Sequence, residues 1–288
     1  MTTVQSVSTV AVDRFYDVRN VRLHTIQWGD RAAAPVVIML HGVGGNAQSF
    51  NTIGPRLAAA GLRAIAIDQR GSGTSSSPET GYDIDECGAD IEAICAVENL
   101  SSVVVVGHSR GGWQAAYLAG RRPDLVAKVV LIDPARIGFA SEDDAEDFYR
   151  GVRALFGPFG SLDEAIAAGR ERDPAVRWTP EREASFLAGL TTREDGSVVA
   201  RTSLDVLEQL RAARADGNRV RDMVAAVTAP TLMFVSAKAS PDRQAQKLEY
   251  AQLIPDIRVE KVDATHAIHQ DEPDLVATMI LEFLAATA

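Results

Sequence analysis

Val103-Val104-Val105-Val106-Gly107-His108-Ser109-Arg110-Gly111-Gly112-Trp113 is the stretch on which the reading of this chain turns. Four consecutive valines predict a strand buried on both faces. Gly-x-Ser-x-Gly follows, and a helical pattern runs over residues 114–120. A serine held on a tight turn between strand and helix has its hydroxyl lifted clear of the sheet edge, where a substrate can meet it. A side chain at Gly107 or Gly111 would collide with such a turn, and Gly112 lets the helix lie close on the strand. A glycine-rich packing turn that merely contains a serine has the same spacing. The flanking strand and helix favour Ser109 as a nucleophile.

Outward from this stretch, apolar strand patterns and helical patterns alternate. Strands are expected at residues 36–40, 62–67, 103–106, 129–132, 231–235 and 257–262, with helices between them. The class is α/β, a doubly wound, mostly parallel sheet. Residues 11–28 alternate in polarity and predict an antiparallel lead-in pair. The rhythm breaks over residues 137–222, where helical stretches (142–156, 162–172, 180–190, 203–215) are punctuated by Gly157-Pro158, Asp173-Pro174 and Asp216-Gly217. That segment reads as a helical cap inserted after the strand ending at Asp133, on a core formed by residues 1–136 and 223–288.

The 288 residues carry a net charge of −10, which argues against nucleic acid as a partner, because a phosphate backbone needs a basic face. No apolar run approaches the ~20 residues of a membrane span. The first residues lack a basic region followed by an apolar one, so no signal peptide is expected. Cys87 and Cys95 fall eight positions apart on one predicted helix, ~12 Å of rise, beyond the ~7 Å that a disulfide spans. Both are read as reduced, in a cytoplasmic protein. No Cys/His spacing suggests a metal site, no cofactor is expected, and the partner is a small-molecule substrate. The sequence is compatible with a homo-oligomer.

A serine hydroxyl needs a base within hydrogen-bond reach, and the base needs an orienting acid. Among the five histidines, His266 follows the last core strand on a loop before the final helix (273–283), where strand-end loops converge above the sheet. It is the first choice of base. His269 is the rival, but three residues further on it is expected to pack on the cap or to cap a helix. For the acid, the slot after residue 235 holds Ser240, and Asp242 comes two residues later behind Pro241. Asp133 ends the preceding strand, and adjacent strand ends lie ~5 Å apart, so an acid there can reach the same imidazole. Asp133 is the leading candidate. Asp242 and Asp263 stay open, as does an N-capping role for Asp133 before Pro134. An oxyanion hole takes two backbone N–H groups, assigned to Arg110 and to Val43 in the loop His41-Gly42-Val43-Gly44-Gly45-Asn46. Those glycines also suit a phosphate-cradling loop, but no Lys-Ser/Thr or fingerprint spacing follows. Gly42, His108 and Trp113 are candidates for substrate contact, and His41 for buttressing its loop.

His41-Gly42, Asp68-x-Arg70-Gly71-x-Gly73-x-Ser75, Gly107-x-Ser109-x-Gly111-Gly112 and His266-x6-Pro273 together resemble the α/β-hydrolase superfamily. Residues 66–71 followed by Ser77-Pro78-Glu79-Thr80-Gly81-Tyr82 are similar to the hydrolases of (E)-2-(acetamidomethylene)succinate and to N-formylmaleamate deformylases, from which the chain departs around Arg110 and Trp113. That resemblance implies amide cleavage on a small dicarboxylate and an acid after the earlier strand, which supports Asp133. It also implies cap arginines as carboxylate holders. Arg150, Arg153, Arg170, Arg172, Arg177, Arg182, Arg193 and Arg201 all fall in the cap, but the chain prefers arginine throughout and has only four lysines. The His108-Ser109-x-Gly111-Gly112-Trp113 elbow also resembles cofactor-independent, ring-opening quinolone dioxygenases. That second resemblance implies a His266–Asp133 pair acting as base on the substrate itself.

Overall fold

A computed structural model describes residues 9–138, 141–172, 174–213 and 217–286. The chain start read for a signal peptide (1–8), Asp173 and Asp216 of two punctuation pairs, and the end of the helix expected at 203–215 lie outside those residues.

The sequence opens with the antiparallel pair β1 (Val12–Val18) and β2 (Val21–Trp28). The core then alternates β3 (Val36–Leu40), α1 (Gly54–Ala59), β4 (Arg63–Ile67), α2 (Ile84–Val97), β5 (Val103–His108), α3 (Arg110–Arg121) and β6 (Val126–Ile132). The inserted segment contributes α4 (Glu142–Arg153), α5 (Leu162–Arg172), α6 (Pro180–Ala188), β7 (Leu190–Thr192), β8 (Val198–Ala200), α7 (Leu204–Ala212) and α8 (Gly217–Ala225). The chain returns through β9 (Thr231–Ser236), α9 (Pro241–Leu253), β10 (Ile257–Val262), α10 (Ile268–Asp271) and α11 (Pro273–Ala285).

The eight-stranded sheet has the order β1-β2-β4-β3-β5-β6-β9-β10. Pairing is antiparallel through β2–β4 and parallel from β4 onward. The inner strands are apolar throughout because both faces are covered. Val37, Met39, Val104, Val106, Ile132 and Phe234 share one cluster with residues of α1 and α11. Ile38, Leu40, Val105, Leu131 and Val235 share the other with residues of α2, α3, α8 and α9. β10, an edge strand, carries Arg258, Glu260 and Lys261, charges that discourage edge-to-edge pairing.

Three differences from the sequence reading have local causes. β6 begins at Val126, not at 129, because Lys128 interrupts the apolar run. Its Nζ donates to the Phe283 and Ala286 carbonyls at 2.8 Å each, closing the C-terminal end of α11. The inserted segment also holds the hairpin β7–β8, strands of three residues that leave too short a period to read. A cap boundary at 222 falls inside α8. Val220 and Val224 of that helix lie in the core cluster beneath α3, so α8 packs with the core layer.

The close approaches that the elbow demands fall at its glycines. A Cβ on Gly111 would sit 2.0 Å from the Leu40 carbonyl oxygen, and one on Gly107 would sit 2.1 Å from that of Gly111. Gly111→Ala therefore costs about 3 kcal/mol, the upper range for overpacking. A fall in the denaturant midpoint at unchanged slope measures it.

Asp68, buried at the end of β4, fixes the adjoining loops by accepting from Ala47 N (2.6 Å) and Thr74 N (2.9 Å), and it pairs with His24 Nδ1 (2.8 Å). Burial pushes the His24 ring down, but Asp68 and Asp13 outweigh it and raise its pKa above 6.5. Burial pushes the Asp68 carboxyl up, but His24, His41 and the N–H groups of Ala47 and Thr74 together outweigh it and hold the group below the usual carboxylate range. The raised histidine contributes stability that is complete below its unfolded value and lost as pH rises through its folded one. The depressed aspartate contributes stability that is lost only as pH falls through its own folded value. The pair is therefore strongest in mildly acid solution. His24→Gln should lower the melting temperature more at pH 5.5 than at pH 8.5.

Candidate active site

Ser109 follows β5 with φ 53° and ψ −117°, a region that L residues avoid. Holding it there costs about 1–3 kcal/mol, strain that marks functional turns. The turn is fixed on both sides: Ser109 N donates to the Ile132 carbonyl (3.1 Å), and Gly112 N and Ala135 N donate to the Ser109 carbonyl (3.0 and 2.9 Å). Gly42, after β3, closes in from the other side; a Cβ there would meet Ser109 Cβ at 3.0 Å and His108 Nδ1 at 3.2 Å. The Ser109 side chain thus lies against the glycine loop. Among the described residues, its hydroxyl makes no hydrogen bond.

That loop is rigid. Gly45 N donates to the Gly42 carbonyl (3.1 Å), and the buried His41 ring bridges it to the β4 end. Gln69 N donates to His41 Nε2 (3.2 Å), which leaves the proton on Nδ1, donated to the Gly42 carbonyl (2.8 Å). Burial pushes the His41 pKa down, in keeping with a neutral ring. The hydrogen bonds that close the loop and the first turn of α3 use neither the Val43 N–H nor the Arg110 N–H. The Arg110 side chain is buried, its guanidinium donating to Gln69 Oε1 (3.1 Å).

Asp133, at the end of β6, also has positive φ (43°) and is completely buried. No helix follows it directly, which removes the N-capping alternative; α4 is capped by Ser141. One carboxylate oxygen accepts from Ser236 N (3.0 Å). The other lies 2.5 Å from His266 Nδ1 and also receives the Lys247 ammonium from α9. Burial pushes the Asp133 carboxyl up, but His266 and Lys247 outweigh it and hold it below the usual carboxylate range. A charged acid on Nδ1 fixes the tautomer that leaves His266 Nε2 unprotonated, and the His266 side chain is 51% exposed.

Thus Ser109, Asp133 and His266 stand on the ends of β5, on β6 and on the loop after β10. His108 links the first to the last, since its Nε2 bonds the His266 carbonyl (3.0 Å) and its ring centroid is 4.7 Å from that of His266. Asp242 and Asp263 are exposed, the former on the first turn of α9 behind the cap residue Ser240. His269 caps no helix, which corrects one half of its expectation; Arg182 of α6 lies near enough to act on its ring. The histidine lies buried within α10, its ring centroid 5.1 Å from Phe50 and 4.7 Å from His108. Burial pushes its pKa down to about 3, so the ring stays neutral. Trp113 belongs to the large core cluster with Ile137. Lys247 and Ser236 escaped the sequence reading, for no motif marks them.

The segment inserted between β6 and β9 reaches this centre through α6 and Val43. Arg182 of α6 donates to Asp271 (2.8 Å), whose other oxygen accepts from Thr265 N (2.6 Å) beside His266. Asn46 of the glycine loop donates to the Ser185 carbonyl of the same helix (2.9 Å). The Val43 side chain packs against two clusters, one of Tyr149, Val152, Phe156 and Leu207 from the inserted segment, the other of Val206 and Leu210 with Tyr82. Two arginines of the inserted segment are engaged by the chain's own carboxylates: Arg153 by Glu146 and Glu208, Arg170 by Glu183.

A family model described as alpha/beta hydrolase fold matches residues 35–273. The chain belongs to that family. It is an α/β-hydrolase enzyme, with a mostly parallel eight-stranded sheet and flanking helices. A 2-(acetamidomethylene)succinate hydrolase from Mesorhizobium japonicum is 26% identical over 283 residues, 96% of this chain and 98% of that one. The crystal structure of an E-2-(acetamidomethylene)succinate hydrolase superposes with a TM-score of 0.85 at 25% identity, covering 96% of this chain and 100% of the other. An sn-1-specific diacylglycerol lipase from Mus musculus is 26% identical over 262 residues, 88% and 82% of the two chains. These relatives are named as hydrolases and as a lipase. No described helix of the chain is long and apolar enough to cross a membrane.

Proposed function

We propose that this α/β-hydrolase is a serine hydrolase that cleaves an amide or ester bond of a small, carboxylated molecule through an acyl-enzyme. The observation that carries the reading is the 2.5 Å contact between His266 Nδ1 and the buried Asp133, beside a serine on a strained turn. Ser109 Oγ attacks the carbonyl carbon, and His266 Nε2 takes its proton. The tetrahedral oxyanion rests on the N–H groups of Val43 and Arg110. His266 then donates the proton to the leaving nitrogen or oxygen, and collapse frees that fragment. Water, deprotonated by the same imidazole, attacks the acyl-enzyme, and Ser109 recovers its proton as the acid departs.

The small carboxylated substrate class rests on the likeness to the acetamidomethylene-succinate hydrolases, whose named substrate joins an acetamido group to a dicarboxylate. The buried free thiols of Cys87 and Cys95 suit the cytoplasm, where we place the protein. Treatment with a fluorophosphonate should label one residue, Ser109, identified by peptide mass. A panel of small amides and esters, with and without carboxylates, then ranks the substrates. Absence of label, together with oxygen uptake on a quinolone, would replace this reading with ring-opening dioxygenation.

A further inference from the structure

Lys247 projects from the middle of α9 to the very carboxylate oxygen of Asp133 that holds His266. It is 8% exposed, one of only four lysines in the chain, and its stem is buried beside the core residue Tyr250 of the same helix. Buried ammonium groups are costly unless something repays them. A structural ion pair would have served with any carboxylate, yet this one is made to the acid of the proposed triad. Two cations therefore compete for one oxygen once His266 is protonated, and like charges at such range repel.

We propose that Lys247 is a positioning residue of the active site, one that locks Asp133 in its ionised form and limits how readily the His266 imidazolium accumulates. This rests on the serine-hydrolase reading for its catalytic meaning, though not for its electrostatics. The ammonium cancels part of the Asp133 charge that His266 feels. Asp133 thereby exerts less pull on a second proton at the imidazole, and it cannot swing away because its two oxygens are held by Ser236 N and by Lys247.

The surrounding groups leave this assignment intact. Arg243, on the same helix, adds positive charge toward Lys247, and burial pushes the lysine's pKa below its ordinary value. His108 faces both Lys247 and His266, and burial holds it well below 6.5, so it does not gain a proton in the working range. His269, the other ring near His266, is neutral for the same reason. Arg136 touches α9 through Gln246 but is paired with Asp144 at 2.8 Å.

The test replaces the charge while keeping the stem. In Lys247→Met the acidic limb of kcat/KM should move up by about one pH unit, because the imidazolium gains the whole of the Asp133 charge. Lys247→Gln, which can still donate a hydrogen bond, should shift the limb in the same direction and serves if the methionine variant does not fold. Lys247→Arg should restore the wild-type limb. NMR titration of the His266 ring in the resting protein should show the same displacement without any substrate. A limb and a titration midpoint that stay put, or move down, in both uncharged variants would overturn the inference, as would an arginine variant that behaves like them. Failure of the wild-type protein to label or hydrolyse would defeat the serine-hydrolase reading instead, and the NMR titration would still decide the role of Lys247.

Discussion

Ser109→Ala lowers kcat by about 10⁶-fold and abolishes fluorophosphonate labelling, while the protein melts at or above the wild-type temperature. The size follows from the chemistry: without the hydroxyl there is no acyl-enzyme, and only the oxyanion donors and substrate binding remain to assist water. The unchanged or higher stability follows from the structure. Ser109 sits at φ 53° and makes no side-chain hydrogen bond among the described residues, so trimming it sacrifices no bond. Steady-state kinetics and a thermal melt on one preparation check both halves. A variant that keeps a tenth of its hydrolytic rate would end the acyl-enzyme mechanism, and with it the roles assigned to Val43 and Arg110.

Asp133→Asn costs about 10⁴-fold in kcat, the scale expected when the acid behind a catalytic histidine is lost. An amide can present its NH2 to His266 Nδ1, which moves the ring proton to Nε2, the nitrogen that must be free to receive the serine's proton. It also strands the Lys247 ammonium in a buried site without its counter-charge. The loss should therefore appear in stability as well, by about 3–5 kcal/mol. Asp242→Asn, exposed on the first turn of α9, should change kcat by less than twofold and stability by less than about 0.5 kcal/mol. Denaturant titrations beside the kinetics separate the two effects. The opposite ranking of Asp133 and Asp242 would move the acid to the later strand.

Much of this architecture can be read before any coordinates. Residues 36–40 and 257–262 coincide with β3 and β10 because turn residues bound their runs on both sides. α3 is the instructive partial case. Its pattern becomes visible only from Gln114, yet the helix begins at Arg110. Gly111 and Gly112 are poor helix formers, retained because the Leu40 carbonyl and Pro134 leave no room for a side chain. Local propensity is sacrificed there to packing, and the helix start disappears from the pattern.

The candidate site divides along the same line. Ser109 lies within a motif, and His266 follows a strand, so both could be named from neighbours in sequence. The pairing of Asp133 with Lys247 spans 114 positions, and that of Arg182 with Asp271 spans 89. Neither has a local signature, since a lysine inside an amphipathic helix pattern reads as a solvated face. His269 misled for a related reason. A histidine shortly before the Pro273 helix suggests a helix cap, whereas it lies inside the short α10, which turns it inward against Phe50.

The ties that α6 makes have an evolutionary corollary. One short helix holds the glycine loop through Asn46 and the imidazole loop through Asp271, so the inserted segment is tied to both halves of the candidate site. Changes to α4, α5 and α7 that spare α6 would leave both ties in place. An inserted segment transplanted from a relative that lacks partners for Asn46 and Asp271 would sit on the sheet and its helices without gripping either loop.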